Sequence, residues 1–176
     1  MALQSQVYTT MAPAIAGMPA SVGETHYTAL TYQAASELTV GNFCFADSTN
    51  GGTKVNKAGT GILRGLVIYT RQYIAGSVSA EKTMKIPVGA FVQIATNGKF
   101  WVEAQNASAK VGDYVLASQM DGSITTQTGN ANKEGFTMTN FIVEKVLGTE
   151  AKSLVLISNQ QPNVVPPMAA AAGVGG

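Results

Sequence analysis

Short apolar runs separated by glycine, asparagine and aspartate recur along the middle of the chain. β-Branched and aromatic residues dominate these runs, and no segment of about ten or more residues keeps the 3.6-residue apolar period of a helix. The pattern therefore predicts strands. They are expected at Tyr27–Tyr32, Gly65–Tyr73, Val88–Thr96, Lys99–Ala104, Tyr114–Met120, Ser123–Thr126, Phe136–Leu147 and Ser153–Ser158.

Two of the predicted turns carry the strongest local signal. Asn97-Gly98 and Asp121-Gly122 each separate two β-rich runs, and such pairs favour the type I′ turn of a hairpin. A third turn is expected at Asn50-Gly51-Gly52. The run from Leu154 to Ile157 is apolar on both faces and predicts a central strand. Hairpins this closely spaced predict an antiparallel sheet that folds over or closes.

The chain divides into three zones. Residues 1–25 are rich in Ala, Pro, Met and Gly, and Pro13 and Pro19 predict an extended N-terminal arm that lies against its own domain or a neighbouring chain. Residues 26–160 form a β-rich body, and residues 161–176 form a Pro/Ala/Gly-rich tail expected to be flexible or to order on a partner. The predicted fold is all-β, an antiparallel β-barrel or jelly-roll-like β-sandwich.

Composition changes the picture through a shortage of charge. Of 176 residues only 12% are charged, against about 25% in typical soluble domains, and the net charge is +1. Clustered Lys and Arg are missing, which excludes electrostatically driven nucleic-acid binding. The proline-broken stretch from Met11 to Ala20 is too short to span a membrane, and the start of the chain lacks the basic region of a signal peptide. We therefore expect a protein made in the cytoplasm and not exported.

Few residues offer catalytic chemistry. His26 is the only histidine, and Cys44, the only cysteine, lies between Phe43 and Phe45 and is expected to be buried. The ten carboxylates form no pair suited to a metal or a glycosidic bond. The segments Gly59–Gly65 and Gly52–Lys54 have the wrong spacing for a nucleotide-binding loop and are expected to serve turns. No catalytic residue, metal or cofactor is therefore expected.

Taken together, the zones resemble a known family. The quoted segments are Met11–Ser21 with its spaced Met, Pro and Gly, Thr25–Leu30, Gly98–Val102, the Val-Gly-Asp-x-Val turn at Val111–Val115, and the closing stretch Phe136–Ile157. Over most of residues 8–158 the chain resembles the structural cement, or capsid decoration, proteins of tailed bacteriophages. The tail after residue 160 has no match in that pattern.

The resemblance implies a virion protein that binds the outer face of the assembled major-capsid shell and clamps neighbouring capsomers. Its partners would be the major capsid protein and further copies of itself, as a dimer or trimer. We expect the arm to make the capsid or intersubunit contacts, through Met11, Pro13, Ile15, Met18 and Pro19. Two alternatives stay open: a phage tail or tube component, and a carbohydrate-binding module with Trp101 and nearby tyrosines as its platform.

Overall fold

Twelve strands and one short 3-10 helix make up the regular structure in the computed structural model, which describes residues 14–20, 28–70, 84–147 and 152–160. The first seven strands are β1 Thr28–Ala34, β2 Leu38–Thr39, β3 Phe43–Ala46, β4 Lys54–Asn56, β5 Leu63–Val67, β6 Lys85–Ile86 and β7 Phe91–Asn97. The remaining five are β8 Lys99–Ala104, β9 Tyr114–Ser118, β10 Ile124–Gln127, β11 Phe136–Leu147 and β12 Ser153–Ser158. The 3-10 helix is Ser48–Asn50.

The strands close into two barrels. The first has the order β1-β4-β3-β5-β7, the second has the order β10-β8-β12-β11-β9, and β2 pairs with β6 in a separate two-stranded sheet. The pairs β1–β4 and β8–β10 are parallel and the others are antiparallel. The all-β barrel prediction is confirmed, and the body holds two small closed sheets where a single barrel or sandwich was expected.

The hairpin predicted at Asn97-Gly98 is wrong. β7 pairs with β1 and β5 in the first barrel, whereas β8 pairs with β12 and β10 in the second, so the chain crosses between barrels at Gly98. The side chain of Asn159, which is distant in sequence, forms hydrogen bonds with the backbone at this crossover. Gly98 N–H donates to Asn159 Oδ1 at 2.9 Å, and Asn159 Nδ2 donates to the Thr96 carbonyl at 2.9 Å. Long-range pairing on both sides thus outweighs the local turn preference.

The second predicted hairpin is confirmed. β9 and β10 pair antiparallel with Ala117 opposite Ile124. Asp121 stabilises the connecting turn, because its Oδ1 accepts hydrogen bonds from the N–H and hydroxyl of Ser123, at 3.0 and 2.7 Å. No side-chain-bearing residue among those described has a positive φ, so neither Xaa-Gly pair forms a type I′ turn.

The apolar run at Phe43–Phe45 is a strand that sequence analysis missed, and its pattern has a structural cause. Phe43 and Phe45 face a core shared by the two barrels, while Cys44 faces the interior of the first barrel. The neighbouring β5 does the same, with Leu66 in the shared core and Val67 in the interior. These strands are buried on both faces and so lose the alternation that marks a half-exposed strand. The strands β2, β4 and β6 were missed because two or three residues are too short for a pattern.

Phe141 joins the two barrels at the centre of the shared core. It lies in β11 where the register against β9 shifts between Met138 and Ile142, and it is 1% exposed. Its ring centroid is 5.7 Å from that of Phe43 in the first barrel and 6.4 Å from that of Phe100 in the second. The ring therefore packs against aromatic residues of both barrels.

The β9–β10 turn makes a second junction between the barrels. Phe43 N–H donates to the Gly122 carbonyl at 2.9 Å, and Gly59 N–H donates to the Gln119 carbonyl at 2.9 Å. Gly122 has φ +71°, and a Cβ at this position would lie 1.9 Å from the Phe43 carbonyl oxygen. Only glycine lets the turn approach β3 this closely.

We expect Gly122→Ala to lower the free energy of unfolding by about 3 kcal/mol or more, since it adds a backbone clash to the cost of a positive φ. Gly129→Ala is the matched control, because Gly129 has φ +85° and no atom within 4 Å of its added Cβ. It should cost only about 1–2 kcal/mol. Urea unfolding of both variants measures the difference, and equal losses would contradict the close approach.

We expect Phe141→Ala to cost about 3–5 kcal/mol, because it leaves a cavity where the barrels meet. Phe91→Ala removes the same ring from a site that is 69% exposed, and it should change stability by less than about 0.5 kcal/mol. Thermal or denaturant unfolding of the two variants tests this. A small effect of Phe141→Ala would mean that the barrels do not depend on a common core.

Candidate functional site

The described part of the predicted arm, residues 14–20, lies along β8. Gly17 N–H donates to the Trp101 carbonyl at 2.7 Å, Trp101 N–H donates to the Met18 carbonyl at 2.9 Å, and Ala20 N–H donates to the Lys99 carbonyl at 2.9 Å. Pro19 forms an antiparallel bridge with Phe100. Sequence analysis left open whether the arm lies against its own domain or against a neighbouring chain. This segment lies against its own domain, where it pairs with the edge of β8.

The same segment also reaches the first barrel. Tyr69 N–H, just after β5, donates to the Gly17 carbonyl at 2.9 Å. A Cβ on Gly17 would lie 2.6 Å from Val40 Cγ1 and 3.0 Å from the Gly41 nitrogen. Gly17 therefore uses its N–H on the second barrel and its carbonyl on the first, and it ties the two together from the surface.

The five predicted contact residues differ in their exposure to solvent, and the structure describes only three of them. Ile15 is 46% exposed and Met18 is 37% exposed, so their side chains reach solvent from a backbone that is held in place. Pro19 is half-buried opposite Phe100. Met11 and Pro13 lie outside the described residues. The structure thus places two exposed apolar residues, Ile15 and Met18, on a turn whose backbone is hydrogen-bonded to β8.

Sequence analysis did not single out the other exposed large apolar residues. They are Leu30, Ile62, Val88, Phe91, Val111 and Met120, between 51% and 81% exposed. A signal for Phe91 existed, because Phe91 and Gln93 alternate with the buried residues Val92 and Ile94 along β7. Because successive side chains of a strand point to opposite faces, Phe91 lies on the outer face together with Gln93.

Cys44, one of the two residues considered for catalysis, lies in the core. Cys44 is buried, its Sγ donates to the Gly65 carbonyl at 3.5 Å, and burial raises the pKa of its thiol far above the ordinary value. The prediction of a buried cysteine is confirmed. His26 lies outside the described residues. Within the described ranges no three His, Cys, Asp or Glu side chains come together to hold a metal ion.

The carboxylates next to glycines shape turns, as predicted. Asp113, in the Val-Gly-Asp-x-Val turn, accepts a hydrogen bond from Lys110 N–H at 2.9 Å and one from the Thr128 hydroxyl at 2.8 Å. Burial raises the pKa of Asp121, but hydrogen bonds from Ser123 outweigh it and hold that pKa below its usual range. These hydrogen bonds stabilise the loops that carry Asp113 and Asp121.

The described aromatic residues form no stacking platform around Trp101. Trp101 is only 9% exposed, with its backbone paired to residues 14–20. Tyr32, Tyr69 and Tyr114 are half-buried, and the other tyrosines lie outside the described residues. The interpretation of Trp101 as a packing residue is confirmed, which removes the main support for a sugar-binding surface.

Charge is dispersed over the described surface. Three salt bridges are present, namely Lys85–Glu37 at 3.1 Å, Lys99–Glu144 at 2.7 Å and Lys152–Glu103 at 3.1 Å. The first and third are exposed and contribute little to stability. In the part of the chain that the structure describes, no helix is long and apolar enough to cross a membrane.

Comparison with known proteins identifies the family. The family described as structural cement protein (E217 gp24/Pam3 gp6) matches residues 3–160. A chain from the solved capsid of the Myoviridae phage XM1 has the same fold, with a TM-score of 0.61 and 14% identity over 90% of this chain and 98% of that one. The N base of the head fibre gp8.5 of bacteriophage phi29 has a TM-score of only 0.40, with 12% identity over 76% of this chain and 96% of that one.

No curated protein matches the sequence. The family match nevertheless spans nearly all of the arm and the whole body, which is the extent over which the sequence resembles a cement protein. The chain therefore belongs to the family of phage structural cement proteins and has a structural role in stabilising the capsid.

Proposed function

We propose that the chain binds the outer surface of the assembled shell, contacts the major capsid protein through its N-terminal segment, and holds neighbouring capsomers together. It acts by binding and carries out no reaction. The observation that carries this proposal is the apolar pair Ile15 and Met18, which projects from a backbone held by hydrogen bonds to β8. Met11 and Pro13, which lie outside the described residues, belong to the same proposed contact.

A backbone held in place makes these two side chains effective contacts. A free arm loses about 1–2 kcal/mol of backbone entropy for each residue that it orders on binding. Residues 14–20 are already paired with β8 and Tyr69, so most of that cost is met on folding. Removal of about 100 Å² of apolar surface from water then contributes about 2.5 kcal/mol to binding.

Weak contacts of this size suit a protein bound in many copies. Cement molecules that touch two capsomers or each other gain from effective concentration, so no deep pocket is needed. The low charge of the chain, with a net value of +1, limits repulsion between crowded copies. We expect a dimer or trimer in solution, which light scattering on a sizing column measures directly.

The test replaces the two side chains and keeps the backbone. Ile15→Ser with Met18→Ser should leave the free energy of unfolding within about 1 kcal/mol, because both residues reach solvent. Attachment to capsid shells that lack the protein should weaken by about tenfold or more, as co-sedimentation would measure. Deletion of residues 1–22 is a poorer test, since it also removes the backbone hydrogen bonds between residues 14–20 and β8.

Val111→Ser with Phe91→Ser is the matched control. Both residues are 69% exposed, and neither lies in the β9–β10 turn, whose Asp121 and Ser123 line the same pocket as Ala16. This control should bind shells as the unaltered protein does. Unchanged attachment of the Ile15 and Met18 variant would contradict the contact proposed here, and failure of the unaltered protein to bind shells would contradict shell binding itself.

A further inference from the structure

One groove in the first barrel is lined by the two glycine-containing segments that sequence analysis had rejected as nucleotide-binding loops. Residues 46–52 form one wall and residues 58–62 form the other, around a volume of about 530 Å³. Arg64 reaches this groove from β5. Most of the lining is backbone and small side chains, so the guanidinium is the main charged donor that the groove presents.

A β-bulge brings Arg64 to this position. Cys44 lies opposite Gly65 and Phe45 lies opposite Leu63, so Arg64 is the extra residue of β5 against β3. A bulge turns a side chain out of the regular alternation of its strand. The Arg64 guanidinium lies over the Tyr32 ring, with 5.7 Å between its Cζ and the ring centroid.

The guanidinium has donors and no acceptor. Arg64 Nε is buried without a hydrogen-bond partner, and Arg64 forms no salt bridge with any described residue. Asp47 lines the same groove, but its carboxylate accepts hydrogen bonds from Thr49 N–H at 3.0 Å, from the Thr49 hydroxyl at 2.6 Å and from Asn50 Nδ2 at 2.5 Å. Among the described residues that line the groove, the one carboxylate therefore accepts hydrogen bonds from its own loop.

Gly52 leaves the space in which the guanidinium lies. A Cβ added at Gly52 would be 2.4 Å from Arg64 Nη2, whereas a Cβ at Gly51 would meet no atom within 4 Å. Both glycines have positive φ, +60° at Gly51 and +76° at Gly52. The two positions therefore carry the same backbone requirement, and they differ in whether a methyl group displaces the arginine.

We propose that this groove binds an acidic side chain of the shell protein, with the carboxylate held by Arg64. A planar guanidinium matches a carboxylate in a bidentate pair, and this pairing favours an anion over a neutral group. A partner carboxylate would complement a guanidinium that forms no salt bridge with the described residues. This inference rests on the proposed shell binding and adds to it a polar anchor distinct from Ile15 and Met18.

The experiment compares Arg64→Gln, Gly52→Ala and Gly51→Ala in the full-length protein, with attachment to shells measured at low salt. Arg64→Gln and Gly52→Ala should each bind shells about tenfold or more weakly than the unaltered protein. Gly51→Ala should bind shells as the unaltered protein does, at temperatures where it is folded. The two alanine variants should unfold at similar denaturant concentrations, because a flexible arginine end moves aside at little cost. At about 1 M salt, where the Debye length is about 3 Å, the difference between the unaltered protein and Arg64→Gln should shrink.

Equal attachment of Arg64→Gln and the unaltered protein would overturn the inference while leaving shell binding intact. Equal attachment of Gly52→Ala and Gly51→Ala would overturn the assignment to this groove. Binding of free glutarate by the unaltered protein and not by Arg64→Gln, with shell attachment unchanged, would assign the groove to a small dicarboxylate and overturn the shell partner. If the unaltered protein fails to bind shells, the failure belongs to the proposed function.

Discussion

The contact between the two barrels through Phe141 is the constraint on which the rest of the structure depends. Each barrel has five short strands and is too small to fill a core of stable size alone. Phe141 leaves the regular register of β11 to pack between Phe43 and Phe100, which makes one shared core out of the facing sides. Strands of the first barrel consequently bury both faces, and this explains why Phe43, Cys44 and Phe45 are all apolar.

Close backbone approaches hold the same junction at its surface. In the β9–β10 turn the Gly122 carbonyl accepts a hydrogen bond from Phe43 N–H, and Gly17 forms hydrogen bonds with both Trp101 and Tyr69. Both contacts require glycine because a side chain would strike the opposite barrel. The result is one body built from two barrels, with the backbone of residues 14–20 held on its outside. In the proposed function, Ile15 and Met18 project from that backbone toward the shell.

Local pattern predicted much of the second barrel. The bounds of β11 and β12 agree with the predicted Phe136–Leu147 and Ser153–Ser158, because β-branched and other apolar residues recur along both segments and turn residues such as Gly135 and Gly148 flank β11. The β9–β10 hairpin also formed as predicted, since Asp121 and Gly122 satisfy the turn locally. The first barrel was harder. Its strand β4 is too short to carry a pattern, and the Asn97-Gly98 signal was overridden by pairing of β7 with β1 and β5. The separate sheet of β2 and β6 joins two short strands that are distant in sequence.

By itself the sequence determined the all-β class, the β9–β10 hairpin, the buried thiol and a composition poor in charge, because each of these follows from residue type and short-range spacing. The match to the cement proteins belongs to this level too, since it rests on order along the chain. Tertiary structure decided that there are two barrels, that residues 14–20 pair with β8, and that Arg64 meets Gly52 in a groove. Those outcomes depend on which distant strands close a barrel together, and no local pattern of hydrophobic and polar residues encodes that choice.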